Sequence, residues 1–264
     1  MSEATEKPTK GLAHLKVMAR HILSMWPAVL RRQFYLQAMN GSRELREALA
    51  QTHAAHVHNA LQTVLVVDLI REVGVLVLDN DPKSASVARA VAALGSESVL
   101  QELKADYSRF TFRPGTTEAV QRAIHDVLLK RGLEDLISLP AYLKTIEDEV
   151  LSNELAKTIR TVRNKAVAHN DVTHDGNDWK MWQIEGVGLT YGQLDEFIDA
   201  CTRAIDRLSG IVLREAYAFG DLPGISRQYV DEYIEALVMG LNRQREIRAE
   251  RRAGGRKSRG GVDE

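Results

Sequence analysis

Residues 43–78 read RELREALAQTHAAHVHNALQTVLVVDLIREVGVLVL. The first half is amphipathic at helical spacing and the second is apolar nearly all round. That pattern predicts one long helix, Arg43–Leu78, with its second half buried between other helices. The apolar run Leu61–Leu78 approaches the length of a membrane span. Asp68, Arg71 and Glu72 interrupt it, and each charge at the centre of a membrane helix costs roughly 2.5–3.5 kcal/mol. A core helix is therefore expected, and no membrane partner.

Upstream, Asn40-Gly41-Ser42 has the chemistry of a stop and a new start, with glycine ending one helix and serine capping the next. Leu15, Met18, Ala19, Ile22 and Met25 carry helical spacing before that, and Pro27 is expected to break, restart or kink the helix ahead of Val29–Met39. Residues 1–10 are polar, read as a disordered lead, and lack the apolar segment of a secretory signal.

Downstream, Asp79-Asn80-Asp81-Pro82 is a loop by turn chemistry. Ser84 or Ser86 caps Val87–Leu94, Gly95 ends it, and Ser96 caps a short helix to about Tyr107. After the break at Arg113-Pro114-Gly115, Thr116 with Thr117 caps Glu118–Arg131, and Gly132 is read as its end. A second long helical pattern runs from Pro140 to His169, expected antiparallel to Arg43–Leu78. Residues 170–190 lack a helical period, and the alternation over 179–184 fits a short strand. Thr190 caps a helix to about Phe219, Gly220–Gly224 turn the chain, and Ser226 caps a last helix that runs into a basic tail. With no internal repeat and no alternation of strand and helix, the fold class is all-α, an up-and-down helical bundle. The expected division is a helical domain over 11–220 with its core at about 40–215, a C-terminal helix over 221–252 and a disordered basic tail over 253–264.

The 264 residues carry 44% hydrophobic side chains, enough for a sizeable core. Lys and Arg (35) nearly balance Asp and Glu (36), so a nucleic-acid surface must be local rather than global. Cys201 is alone; no intramolecular disulfide or cysteine-based zinc site can form, which fits a reducing, cytoplasmic setting.

Chemistry concentrates at Arg163-Asn164-Lys165-Ala166-Val167-Ala168-His169. On a straight helix, Arg163 and His169 point about 120° apart across roughly 9 Å of rise. A long side chain or a second copy of the chain must bring guanidinium and imidazole to one substrate. Lys165 and His169 are the true i, i+4 neighbours. The plain alternative is a helix end decorated with cations, each favoured by about 0.3–1 kcal/mol from the helix dipole.

The segment TIRTVRNKAVAHND (residues 158–171) resembles the signature of the HEPN superfamily, in its abortive-infection, AbiU-like branch. HEPN proteins carry Arg, usually a polar residue next, then His after four to six intervening positions; here five intervene and Asn164 fills the polar slot. The long helix ending at Asp79, the Ser-rich loop and short helix after it, and the helix from Leu189-Thr190 resemble that branch in order. The likeness spans about residues 40–215.

It implies a four-helix up-down core, commonly paired as a homodimer with two motifs facing one cleft, and a metal-independent endoribonuclease with no cofactor. His169 would act as general acid or base, Arg163 would neutralise growing phosphate charge, and Asn164 would orient phosphate or imidazole. Lys165 supports them. A toxin or phage-defence effector acting on RNA is the expected function, with an antitoxin or regulatory protein as a possible partner. The alternative is a non-catalytic HEPN-fold dimer that holds RNA, a nucleotide or a partner protein.

Two positions depart from common HEPN patterns. Many HEPN toxins paired with a nucleotidyltransferase carry Tyr two residues after His, where this chain has Asp171. Some active members supply an acid from the preceding core helix. Asp68 is the candidate, because a carboxylate within Leu65–Ile70 needs a partner, and Arg71 is its simplest one.

Other clusters read as structure. His53, His56 and His58 lack further zinc ligands. His174-Asp175 with Asp171 and Asp178 does not match a calcium loop. Gly186-Val187-Gly188 follows no strand–helix turn. The tail differs: Arg243, Arg245, Arg248, Arg251, Arg252, Arg256, Lys257 and Arg259 face only Glu246 and Glu250. A solvated helix end is the plain reading. The functional one is an RNA-binding arm using Arg248, Arg251, Arg252, Arg256, Lys257 and Arg259.

Overall fold

A computed structural model describes residues 11–50, 52–108, 117–164, 172–174, 179–181, 188–215, 219 and 222–257. The all-α expectation holds among them. The helices are α1 (Leu12–Gly41), α2 (Arg43–Leu49), α3 (Ala54–Leu78), α4 (Val87–Leu94), α5 (Glu97–Tyr107), α6 (Glu118–Ile146), α7 (Glu154–Val162), α8 (Tyr191–Leu213) and α9 (Leu222–Lys257). A π-helical turn, Glu147–Leu151, follows α6. One short hairpin pairs β1 (Val172–His174) antiparallel with β2 (Trp179–Met181), partly where the alternation predicted a strand. No described helix is long and apolar enough to cross a membrane.

The chain forms two compact units, residues 1–29 with 69–219, and residues 30–68 with 220–264. In the first, Leu15, Ile22 and Trp26 of α1, Leu69–Val73 and Leu76–Leu78 of α3, and Phe197, Ile198 and Ile205 of α8 contribute buried side chains, though Arg71 and Glu72 lie within that stretch of α3. The α6 and α8 helices run antiparallel. Tyr142 donates to Ala204 at 3.0 Å, while one turn or more earlier on α6 Asp135 pairs with Arg207 at 2.8 Å. In the second unit, Leu45, Ala48 and Leu49 of α2 pack with Val230, Ile234 and Leu241 of α9.

Several boundaries differ from the sequence expectation. Pro27 neither ends nor restarts α1, which runs through it. A proline inside a helix costs about 3 kcal/mol. Trp26 and Val29 on either side are fully buried, each worth about 1.5–3 kcal/mol, and the Trp26 indole donates to Thr202 at 3.0 Å. Burial offsets the break.

The expected Arg43–Leu78 helix is two. Ala50 leaves the helix with ψ 130, and side chains satisfy the carbonyls this releases. The Thr52 hydroxyl donates to Leu49 O at 2.7 Å, and the Arg245 guanidinium donates to Glu47 O and Ala50 O, each at 2.8 Å. Burial on α3 is confined mainly to its C-terminal turns; Val57, Leu61 and Val64 are exposed.

Gly132 does not stop α6. A Cβ there would lie 2.5 Å from the Tyr107 ring, so the residue is small because α5 packs against it. The Tyr107 hydroxyl reaches Ile211 O at 2.6 Å, fixing the ring. The second long helix, Pro140–His169, is likewise divided. Pro140 lies inside α6, the π turn follows, and Asn153 starts α7 by accepting Ala156 N at 2.7 Å. Ser226 lies inside α9 rather than at its start. The α8 helix ends at Leu213, before Phe219, because Arg214 turns left-handed at φ 58 and its guanidinium pairs with Asp106 at 2.7 Å. Gly41-Ser42, Ser86, Gly95 and Thr190 sit at helix ends as expected; Thr190 forms a full capping box with Gln193.

Candidate functional site

Ala156, Ile159 and Val162 bury one face of α7, and Arg163 follows on the next position. Its side chain is 25% exposed and lies along α3 at Gly74. A Cβ on Gly74 would sit 2.7 Å from Arg163 Cδ. A glycine in mid-helix costs about 1 kcal/mol against alanine; here it opens the groove for the arginine stem.

The Arg163 guanidinium is then held at three points. Nη1 donates to Gly74 O at 3.2 Å, Nε donates to Asn164 Oδ1 at 3.2 Å, and Asp79 Oδ2 lies 3.9 Å from Nη1. Nη2 makes no hydrogen bond among the described residues. The Asp79 contact is at the outer limit of an ion pair, so it orients the cation without enclosing it. An Arg held this way presents Nη2 as a charged donor to an incoming oxyanion.

Asp79 is itself fixed by the loop after α3. Its carboxylate accepts Asp81 N at 3.1 Å, and its carbonyl accepts the hydroxyls of Ser84 and Ser86. Ser86 is fully buried and caps α4 through Arg89 N at 3.2 Å. The serines thus tie the start of α4 to the acid beside Arg163.

The structure brings Arg163 and Asn164 together; Lys165 and His169 lie outside the described residues. Asp68, the acid singled out from sequence, belongs to the other unit and pairs with Arg32 at 3.1 Å. The acid beside the motif arginine is Asp79. Position could have suggested it, since it ends the long helix, but Asp-Asn-Asp-Pro reads first as a turn. Gly74 had no sequence signal beyond being a lone glycine in an apolar helix.

In the basic arm, Arg248, Arg251 and Arg252 are exposed on α9. The helix backbone extends through Arg256 and Lys257, and Arg259 lies outside the described residues. Two cations of the run have structural partners. Arg245 caps α2, and Arg243 pairs with Glu246 at 2.8 Å. His58 is buried, which pushes its imidazole below the ordinary value, while His53 and His56 are exposed. Cys201 is fully buried and burial raises its thiol well above the usual range, so it is no nucleophile.

A HEPN family model with the description AbiU2 matches residues 9–233. No curated protein and no solved structure matches the chain.

Proposed function

Because this chain belongs to the AbiU2 family of HEPN proteins, we propose that it is a metal-independent endoribonuclease of an abortive-infection system, acting as a toxin or phage-defence effector. The observation that carries this reading is the restrained Arg163. Its stem lies over Gly74, Asp79 and Asn164 orient it, and one amino group has no partner among the described residues.

In the proposed reaction, His169 takes the proton of a ribose 2′-hydroxyl. The 2′-oxygen attacks the adjacent phosphorus, and the bond from phosphorus to the 5′-oxygen breaks. That oxygen collects a proton, leaving a 2′,3′-cyclic phosphate and a 5′-hydroxyl end. Arg163 meets the charge that grows on the equatorial oxygens, where preorganised donors contribute most. Asn164 holds the guanidinium plane, and Lys165 adds local positive potential. A homodimer would set a second motif opposite the first, and an antitoxin or regulatory protein would restrain the activity.

The test is cleavage of single-stranded RNA by purified protein in EDTA. Wild type is expected to yield cyclic-phosphate ends, and His169→Ala to abolish cleavage with an unchanged melting temperature. Arg163→Ala should lose comparable activity. Arg163→Lys should recover little, since an ammonium cannot keep the contacts to Asn164 and Gly74 while a further nitrogen meets the phosphate. Wild type that binds RNA and never cleaves it would favour a binding module, a reading consistent with exposed Arg248, Arg251 and Arg252. A His169→Ala protein that mainly melts earlier would make the residue a structural cap.

A further inference from the structure

A cleft of about 540 Å³ lies beside the motif, lined by Asn80, Glu147, Leu151, Ser152 and Arg160 together with α4. It falls entirely within the unit that carries Arg163. Two links join it to the candidate site. Arg160 precedes Arg163 by three positions on the motif helix, a spacing that puts neighbouring side chains about 5–6 Å apart at Cβ. Asn80 follows Asp79, the acid beside Arg163.

The polar groups of the cleft are unevenly engaged. The Arg160 guanidinium makes no hydrogen bond or ion pair among the described residues, and neither does the Asn80 side chain. Glu147 accepts the Ser152 hydroxyl through one carboxylate oxygen, and its second oxygen accepts no hydrogen bond among the described residues. A guanidinium without a partner among the described residues, in a cleft that an amide also lines, is a seat for an oxyanion. A carboxylate in the same cleft repels that anion but accepts a hydroxyl or base N–H donor. Small-ligand clefts span roughly 300–1,000 Å³, so this one has room for a nucleotide.

We propose that this cleft is a nucleotide subsite that binds the residue of single-stranded RNA next to the scissile position. Arg160 and Asn80 take its phosphate, and Glu147 accepts a ribose hydroxyl. The proposal rests on the ribonuclease reading for its substrate, but it concerns binding and can fail separately. It makes the motif helix a two-phosphate reader, with Arg163 at the reacting group and Arg160 one step along. It also supplies discrimination against DNA, since a carboxylate that accepts a 2′-hydroxyl has nothing to accept from a deoxyribose.

The experiment measures binding of a fluorescent single-stranded RNA dodecamer, and of DNA with the same sequence, to the full chain carrying His169→Ala. Binding is then read without cleavage. In that background Arg160→Ala is expected to weaken RNA binding about tenfold and reduce the slope of affinity against salt by about one. Arg160→Lys should retain the salt slope. Glu147→Ala should weaken RNA several-fold, hold or strengthen DNA binding as the repulsion is removed, and so reduce the preference between them. Should the Arg160→Ala protein melt lower, Arg160→Gln keeps the stem and repeats the comparison. Unchanged affinity and salt slope in both neutral variants would overturn the subsite while leaving cleavage by wild type untouched. A wild type that never cleaves, together with the expected Arg160 effect, would remove the ribonuclease reading and keep the subsite.

Discussion

At Gly74 a single hydrogen separates a held arginine from a displaced one. The Arg163 stem occupies the space a Cβ would claim, 2.7 Å from Cδ. Gly74→Ala should therefore split stability from activity. Alanine improves the helix by about 1 kcal/mol, so the melting temperature should hold or rise. Moving the guanidinium should slow RNA cleavage roughly ten- to a hundredfold, read under single-turnover conditions. Full cleavage by the alanine variant would show that Arg163 does not need this groove. Half of this arrangement was legible in the sequence and half was not. Arg163 and Asn164 stand out because the motif is local. Gly74 and Asp79 meet Arg163 across most of a hundred residues of chain, and no periodicity reports which turn of α3 will face α7. Asp68 drew notice as an acid in an apolar stretch, but its need for a partner is met by Arg32 at 3.1 Å.

Among elements, the helix ends that were legible are those written in capping chemistry. Ser42, Ser86 and Thr190 each accept a backbone N–H two or three residues into the helix they begin. The ends that were not legible depend on partners distant in sequence. Gly132 reads as a stop until the Tyr107 ring is seen to lie against it. The break after Leu49 has no proline or glycine, and needs Arg245 from α9 to satisfy the freed carbonyls. Long-range pairing also joins α1, α5 and the end of α8. Asp106 accepts Lys16 Nζ at 2.7 Å and Arg214 Nη2 at 2.7 Å, with about a quarter of each side chain exposed. Burial pushes this carboxyl up, but the two cations outweigh it and hold it below its ordinary value. A depressed acid stabilises the fold above its unfolded value and loses that contribution as pH falls through the folded one. Asp106→Asn should thus cost about 1–3 kcal/mol at neutral pH, measured by urea unfolding. The gap to wild type should narrow as pH drops below 3.8. A gap that stays constant from pH 7 to pH 3 would mean that the cations contribute nothing through charge.

For the whole molecule the proposed function requires a surface that meets RNA and a second copy of the chain. The sequence spacing of Arg163 and His169, about 120° apart on an ideal helix, favours a composite site. Sedimentation should accordingly give a dimer at tens of micromolar, and a monomer at that concentration would count heavily against it. The basic run at the end of α9 asks for a finer cut than its charge alone suggests. Removing everything after Leu241 would also delete Arg245, whose guanidinium caps α2 at Glu47 and Ala50. Such a truncation confuses weaker RNA binding with a loosened helix. Ending the chain after Ile247 keeps that cap and the packing of Leu45, Ala48 and Leu49 on Val230, Ile234 and Leu241, yet removes exposed Arg248, Arg251 and Arg252 with the cations beyond them. If these residues follow a phosphate backbone, the shortened protein should melt at the wild-type temperature. It should bind single-stranded RNA more weakly at low salt, and its affinity should fall less steeply as salt rises, by about one unit of slope for each phosphate no longer neutralised. Its cleavage rate at saturating RNA should stay that of wild type, because the arm adds affinity and no chemistry. An unchanged salt slope would make the arm a solubilising helix end, and a lower rate at saturation would place part of it at the reacting centre.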